Sequence, residues 1–311
     1  MTILICGIHG FLGRAMGDYA RRVKGKHFVY GLARKKAGPG NARIIECDLN
    51  QSGRLRKVLR DIKPDIIFHL AGGRCGGGQE TFDANFTSTK NLLETIHGLN
   101  VPRSPKIIIP GSAGEYGHVR GKRLIMEDCR AAPLSWYGFV KLLQTELGLL
   151  YARRGLDVVV ARLFNLCGAY TPPSLAIGAF AQQIVAIERG AQPVIRTKNL
   201  GGKRDVCDVE DVCRGLWAIA QTGRTGEVYN LCSGRPVVFR QLLKEMISYA
   251  RVKSIRVEED KQDLSSSFDA VGSNSKLKKI TSWSPRISLE QSLKNTLESC
   301  RMVFPSPGGR G

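Results

Sequence analysis

Tyr137 and Lys141 stand four residues apart in SWYGFVKLLQTE, residues 135–146. On a helix that spacing projects both side chains from one face, one turn apart. A neighbouring ammonium favours phenolate, which gives a tyrosine able to donate and accept protons near neutral pH. The spacing alone is common, and two ordinary surface or half-buried side chains produce it equally well. Chemistry follows only if other elements bring a cofactor and a polar substrate to the same place.

A second constellation supplies that possibility. Gly7, Gly10 and Gly13 form G-x-x-G-x-x-G between the apolar run TILICG (2–7) and the helical pattern GFLGRAMGDYARR. Glycines there permit a tight turn and let backbone approach a phosphate, while the helix N-terminus offers free N–H groups to a pyrophosphate. The pattern predicts dinucleotide binding, and a plain strand–turn–helix corner is the bland alternative. A carboxylate after the second strand would favour NAD through the ribose 2′-hydroxyl. Residues 30–40 contain none, and Ala33 is followed by Arg34, Lys35 and Lys36. Such a cationic cluster suits a 2′-phosphate and favours NADP, although a solvated basic loop would read the same way.

The elements that must position these groups alternate along the chain. HFVYGLAR (27–34), ARIIECDL (42–49), PDIIFHLAG (64–72), PKIIIPGS (105–112) and LDVVVARLFN (156–165) read as strands. Helical patterns fall at 52–62, 81–98 and about 134–154 between them. Apolar runs alternating with helices predict an α/β fold, a doubly wound parallel sheet covered on both faces. After Asn165 the rhythm breaks at CGAYTPPSL, and helices at 176–190, FRQLLKEMISYA and SLEQSLKNTLESCR follow, with strand character returning at GEVYNLCSG (226–234). The expected division is a dinucleotide-binding domain at 1–165, rejoined by about 207–232, and a smaller α/β substrate domain within 166–311. The polar stretch EEDKQDLSSSFDA interrupts that smaller part, and PSPGGRG at the end is expected to be disordered.

Composition narrows the classes. The chain has 311 residues, 42% hydrophobic and 24% charged, which is globular. No apolar run reaches the roughly 18 residues of a membrane span. MTILICGIHGFLG lacks a basic leader and reads as a first strand. The nine cysteines are scattered without C-x-x-C, so no metal site is expected, and an odd count without a leader suggests a reducing cytoplasm. A formal net charge of +20 allows a nucleic-acid partner, an anionic small ligand or a generally basic surface. Because the basic residues are dispersed and no basic arm appears, anionic small ligands are favoured and nucleic acid is disfavoured.

The ordered set GIHGFLG (7–13), CDL (47–49), HLAG (69–72), DANFTSTKNLLE (83–94), GSAGEYG (111–117), YGFVK (137–141), ARLFNLCG (161–168), KRDVCDVEDVCRG (203–215) and GEVYNLCSG (226–234) resembles the extended short-chain dehydrogenase/reductase family. That family comprises nucleotide-sugar epimerases, dehydratases and reductases on a Rossmann sheet. PVIRTKNLGGKRDVCDVEDV (193–212) and GSNSKLKK (272–279) carry a closer likeness to its branch acting on GDP-mannose derivatives, the GDP-4-keto-6-deoxy-mannose reductases among them. The resemblance implies Tyr137 as catalytic acid/base and Lys141 as the group that lowers its pKa and bonds the nicotinamide ribose. It implies Ser112, twenty-five residues before the tyrosine, as a hydrogen-bond donor to the reacting sugar oxygen. Gly7, Gly10, Phe11, Leu12, Gly13, Arg34, Lys35, Asp48, Leu49, Leu70, Ala71 and Gly72 would hold the cofactor, with Asp48 near adenine. Ala113, Asn165, Arg196 and Arg204 would join Ser112 and Tyr137 in binding the nucleotide sugar, the arginines at its diphosphate. A homodimer through the Tyr137 helix and the helix before it is also implied.

Departures from the pattern refine this. GGRCGGGQET (72–81) is shorter and richer in glycine than the corresponding family segment, so the floor of the site is expected to differ or the loop simply to be shortened. Dehydratases carry a glutamate two residues after the catalytic Ser/Thr. Here that position is Gly114, and Glu115, one step on, is expected to point to the other face of a strand. SSSFDA (265–270) lacks an arginine that relatives place before the aspartate, a contact Arg235 or Arg256 would have to supply. The leading expectation is an NADPH-dependent reductase of the 4-keto group of a GDP-4-keto-6-deoxy-hexose. The alternatives are a GDP-sugar epimerase or pyranose–furanose mutase, and a non-enzymatic dinucleotide-binding regulator. Among lesser features, Glu127 and Asp128 read as a solvated turn, His69 as a packed strand end, and His9 as either exposed or touching phosphate.

Overall fold

The structure is a computed structural model that describes residues 1–35, 43–73, 76–99, 104–119, 124–198, 200–260 and 269–303. Short β-branched runs form its centre. Strands β1 (Thr2–Cys6), β2 (Phe28–Ala33), β3 (Arg43–Glu46), β4 (Ile66–His69), β5 (Lys106–Ser112), β6 (Val158–Leu163) and β10 (Val228–Leu231) make a seven-stranded sheet in the order β3-β2-β1-β4-β5-β6-β10. Every neighbouring pair in it is parallel. This is the Rossmann-like α/β architecture expected from the alternation.

Period-two alternation sorts the apolar side chains between two faces. Ile3, Ile5, Ile66, Phe68, Ile108 and Val159 face one layer, where Met16 and Ala20 of α1 (Phe11–Arg22) meet Val212, Leu216 and Ile219 of α7 (Val209–Thr222). Leu4, Ile67, Ile107, Ile109, Val158 and Val160 face the other, against α2 (Ser52–Ile62), α4 (Ser88–His97) and α5 (Trp136–Arg153). Both faces are therefore dry, as an all-parallel sheet requires.

The helical pattern predicted over 81–98 is interrupted in its interior. It consists of α3 (Gly78–Phe82), a π-turn (Asp83–Thr87) and α4. Beyond β6 lie β7 (Asn165–Cys167), α6 (Ala176–Glu188), β8 (Val194–Lys198), β9 (Lys203–Asp208), β11 (Pro236–Val238), α8 (Phe239–Ser248), β12 (Arg256–Asp260), α9 (Ser275–Ile280) and α10 (Leu289–Val303). β7 and β11 flank β9, and β12 pairs with β8 in parallel. A third apolar cluster joins Ile177, Phe180 and Ile184 to Ile195, Leu242, Met246 and Leu293. β12 corrects the reading of 258–270 as only a polar interruption, since a strand on a two-stranded edge needs few apolar residues. Residues 261–268 and the terminal PSPGGRG lie outside the described residues.

Candidate active site

The chemistry-bearing residues gather at the C-terminal ends of the parallel strands, where open α/β sheets bind ligands. Gly7 leaves β1 with φ +81°, a left-handed conformation suited to glycine. A Cβ on it would lie 2.7 Å from Ala71 Cα, and one on Gly13 would lie 2.0 Å from the Gly7 carbonyl oxygen. Gly10 caps α1 with no side-chain bond to the first turn. The helix thus begins with backbone donors that no side chain occupies, next to Phe11 and Leu12. His9 adds a buried Nε2 without a partner among the described residues. These features fit a dinucleotide pyrophosphate.

Arg34 and Lys35 follow β2 at the same end of the sheet and are exposed; Lys36 lies outside the described residues. Asp48, after β3, accepts the Asn50 N–H at 2.9 Å and is half-buried, beside buried Leu49. Leu70, Ala71 and Gly72 run from β4 past the glycine loop. Gly72 and Gly73 both have positive φ. Asn85, buried in the π-turn, holds this segment. It accepts the Gly73 N–H at 3.0 Å and donates to the carbonyls of Gly73 at 2.8 Å and Thr81 at 2.7 Å. A Cβ on Gly72 would stand 2.6 Å from its Oδ1. Residues 74 and 75 of the shortened loop lie outside the described residues, and Trp136 Nε1 donates to the Gly78 carbonyl at 2.8 Å beyond them.

Ser112 ends β5 and caps a 3-10 turn at Ala113–Glu115. Its Oγ accepts the Gly114 N–H at 3.1 Å, which leaves its own O–H to donate. Glu115, expected to point to the other face of a strand, does lie away from the site, but a turn and not a strand carries it. It is fully buried, with Oε2 2.7 Å from Arg162 Nε. Burial pushes its carboxyl up and Arg162 opposes the shift.

Tyr137 occupies the first turn of α5 and is half-buried, and Lys141 follows one turn later, only 4% exposed. The first turn of α5 seats on the Ser112 turn through paired glycines, since a Cβ on Gly138 would fall 2.4 Å from the Gly114 oxygen. Lys141 Nζ donates to the carbonyl of Pro110, two residues before Ser112, and to Gln144 Oε1. Helix and strand therefore bring Ser112, Tyr137 and Lys141 to one end of β5. Burial lowers Lys141 to about 8, with Glu115 pulling the other way.

Sequence reading assigned no role to Gln144 or Thr89. Gln144 Nε2 donates to Thr89 Oγ1 at 2.7 Å and to the Asn85 carbonyl at 3.2 Å. Thr89 gives its one hydrogen to the Asn85 carbonyl at 2.5 Å, so toward His69 Nε2, 2.8 Å away, it accepts. His69 is thus a neutral Nε2–H tautomer, held neutral by burial and by the Lys141 charge, its pKa lowered to about 3. It is the packed strand end expected.

The substrate candidates separate. Ala113 follows β5 and exposed Asn165 opens β7, two residues after β6, where its Nδ2 donates to the Asp205 carbonyl at 2.8 Å. Arg204, on β9, is half-buried, and burial lowers its pKa against the pull of Asp269. Arg196 lies on the β8–β12 pair, its Nε 3.1 Å from Glu258 Oε2, beside a shallow cleft of about 400 Å³. Arg256 also pairs with Glu258, and Arg235 is exposed. Glu127 and Asp128 lie in the turn expected, but only Asp128 is solvated: Glu127 is half-buried and accepts the N–H of Asn230 on β10 at 2.8 Å. Among the described residues no His/Cys/Asp/Glu group could hold a metal, and no helix is long and apolar enough to cross a membrane.

A parallel sheet whose first turn is glycine-rich is the architecture of dinucleotide-binding α/β proteins. The chain belongs to the NAD dependent epimerase/dehydratase family, whose model matches residues 3–232. It is 30% identical over 304 residues to the GDP-6-deoxy-D-mannose reductase of Pseudomonas aeruginosa, covering 95% of each chain. It is 28% identical to the GDP-6-deoxy-D-talose 4-dehydrogenase of Aggregatibacter actinomycetemcomitans, over 75% of each. Its structure resembles that of RMD from Pseudomonas aeruginosa complexed with NADPH, with a TM-score of 0.83 and 26% identity over 97% of this chain and 99% of that one. Members of the family are nucleotide-sugar epimerases, reductases and dehydratases that use a nicotinamide dinucleotide, and this chain is an enzyme of that group.

Proposed function

We propose that the protein is an NADPH-dependent reductase of the 4-keto group of a GDP-4-keto-6-deoxy-hexose. The observation that carries this reading is the Ser112 hydroxyl, left as a donor by the Gly114 N–H and set against the turn of α5 that bears Tyr137. The likeness to two enzymes of GDP-6-deoxyhexoses supports the substrate class. Arg34 and Lys35 after β2 support NADP, their charge suiting a 2′-phosphate.

The uncapped α1 N-terminus, Phe11, Leu12 and the three glycines would hold the pyrophosphate, Asp48 and Leu49 the adenosine side, and Leu70, Ala71 and Gly72 the trough leading to the nicotinamide. When bound, the reduced cofactor supplies the hydride that the C4 carbonyl carbon accepts. Ser112 donates a hydrogen bond to the carbonyl oxygen and orients the sugar. Tyr137 gives that oxygen its phenolic proton, which completes the alcohol, and is reprotonated from solvent. Lys141 lowers the proton affinity of the phenolate left behind. Ala113 and Asn165 contact the sugar, and Arg204 and Arg196 the diphosphate. Gly114, where a dehydratase would need its carboxylate, leaves no group for water elimination.

Residues 1–165 with 207–232 would form the dinucleotide half and the remainder the nucleotide-sugar half. The enzyme would work in the cytoplasm as a homodimer through α4 and α5, the latter exposing Trp136, Phe139 and Leu150. The test mixes protein, NADPH and a GDP-4-keto-6-deoxy-hexose and follows the near-ultraviolet absorbance of the reduced nicotinamide. Consumption is expected, falling about 10²- to 10⁴-fold in Tyr137→Phe with NADPH affinity retained. No consumption by folded protein removes the reading. Product from a saturated GDP-hexose without net change in cofactor would instead support an epimerase or mutase, the second reading. The shorter, glycine-rich segment at 72–81 is the feature that keeps that alternative open.

A further inference from the structure

Glu115 sits beneath the residue proposed to touch substrate, yet it faces away from the site. Its Oε1 accepts the backbone N–H of Ser112 at 2.6 Å and the Thr145 hydroxyl at 3.1 Å. Its Oε2 accepts Arg162 Nε at 2.7 Å. With the Gly114 N–H on Ser112 Oγ this completes a reciprocal cap, in which each end of a single tight turn holds the other. The preceding residue is glycine for the same reason: a Cβ on Gly111 would stand 2.7 Å from Glu115 Oε1 and 2.9 Å from Arg162 Cγ. Arg162 is fixed in turn, its guanidinium 4.6 Å from the centre of the buried Tyr116 ring.

We propose that Glu115 is a positioning residue, which sets the direction of the Ser112 hydroxyl by clamping the serine backbone from below while Arg162 and Thr145 lock the carboxylate. This deepens the proposed function and rests on Ser112 acting there. The carboxylate is required because both of its oxygens face donors, Ser112 N–H on one side and Arg162 Nε–H on the other. An amide has one acceptor and must turn its NH₂ toward one of the two. The charged guanidinium takes the oxygen, and the NH₂ then opposes the Ser112 N–H.

Glu115→Gln should therefore lower kcat roughly 10- to 100-fold, the scale of a misplaced reacting contact, with KM for NADPH and for the nucleotide sugar within about two-fold. In a Ser112→Ala background the same substitution should cost nothing further, because its effect passes through the serine. Replacing the competing donor as well, in Glu115→Gln/Arg162→Met, leaves the amide oxygen to Ser112 and should recover most of the lost kcat. The double variant also strands no charge, so it reports even if Glu115→Gln does not fold. Full activity in folded Glu115→Gln, an additive loss in the Ser112→Ala background, or a double variant as slow as Ser112→Ala overturns the proposal. Wild-type turnover in Ser112→Ala would instead overturn the assignment of Ser112, and with it the functional reading on which Glu115 depends.

Discussion

Lys141 and Arg196, two cations proposed to serve one reaction, are held in opposite ways. Lys141 is 4% exposed and its ammonium places two of its three donors on Pro110 and Gln144, in a chain of bonds that continues through Thr89 to His69. The Arg196 side chain is 69% exposed, and its guanidinium pairs across a two-stranded edge with Glu258. Thr89 and Gln144 each make every bond of that chain in one arrangement, although His69 Nδ1 stays buried without a partner among the described residues, so the chain fixes geometry before a ligand arrives. An exposed pair is worth little and opens readily. The contrast divides the proposed labour. On that proposal proton chemistry is preorganised at the C-terminal end of β5, whereas recognition of the nucleotide is left to surface groups that can exchange a carboxylate for a phosphate.

The sharpest way to break the buried side of this contrast is to acidify it. His69 is buried and neutral, its pKa lowered to about 3 from an ordinary 6.5. Between those values the unfolded chain binds a proton that the folded chain refuses, so stability from this residue falls as pH falls through the window. The slope is about 1 kcal/mol per pH unit. His69→Gln can still donate to Thr89 but does not titrate. Urea unfolding from pH 6.5 to 4 should show the variant losing stability more slowly than the parent, a gap of a few kcal/mol at the acid end. Parallel losses would mean that His69 is not held neutral and that the chain from Lys141 is looser than its geometry implies.

A somewhat smaller effect is expected at the cofactor turn. In Gly13→Ala the new methyl would overlap the Gly7 carbonyl. Overpacking of this kind costs about 1–3 kcal/mol and should move the turn proposed to cradle the pyrophosphate. NADPH affinity should fall at least ten-fold in a fluorescence titration, with a lowered urea midpoint. Unchanged affinity would detach the glycine turn from cofactor binding.

Gly7 and Gly13 were legible because steric exclusion by backbone leaves a mark in the sequence that glycine alone satisfies, whereas Gly10, at φ −70° with a nearest Cβ contact of 3.3 Å, is not held to glycine in the same way. The Tyr137–Lys141 pair was legible because both lie on one helix with its own periodicity. Glu115 was not, for two reasons. A strand was expected to continue where a 3-10 turn begins, and its partner Arg162 arrives 47 residues later from a different strand. The Lys141–Gln144–Thr89–His69 chain joins three elements, and each polar residue alone looks like an ordinary member of an amphipathic pattern. β12 was hidden because Val257 is its one apolar residue on the third cluster, while Glu258, Glu259 and Asp260 give the rest of the strand the look of a polar loop. Patterns set by one element are readable; patterns set by the meeting of several are not.

The smallest effect on stability, and the one that sharpens the exposed side, belongs to Arg196→Ala. Its pair with Glu258 is solvated, so the loss should be within about 1 kcal/mol. Glu258 also holds Arg256 at 2.8 Å and would not be left unpaired. If Arg196 swings to the diphosphate, KM for the nucleotide sugar should rise about ten-fold with kcat nearly unchanged, because the contact is equal in ground and transition states. Added salt should weaken substrate binding in the parent more than in the variant. A fall in kcat instead would place Arg196 in contact with groups that move during reaction and would erase the distinction drawn here between a preorganised floor and an adjustable rim. No change in either constant would leave Arg204, half-buried on β9, as the cation that the diphosphate meets.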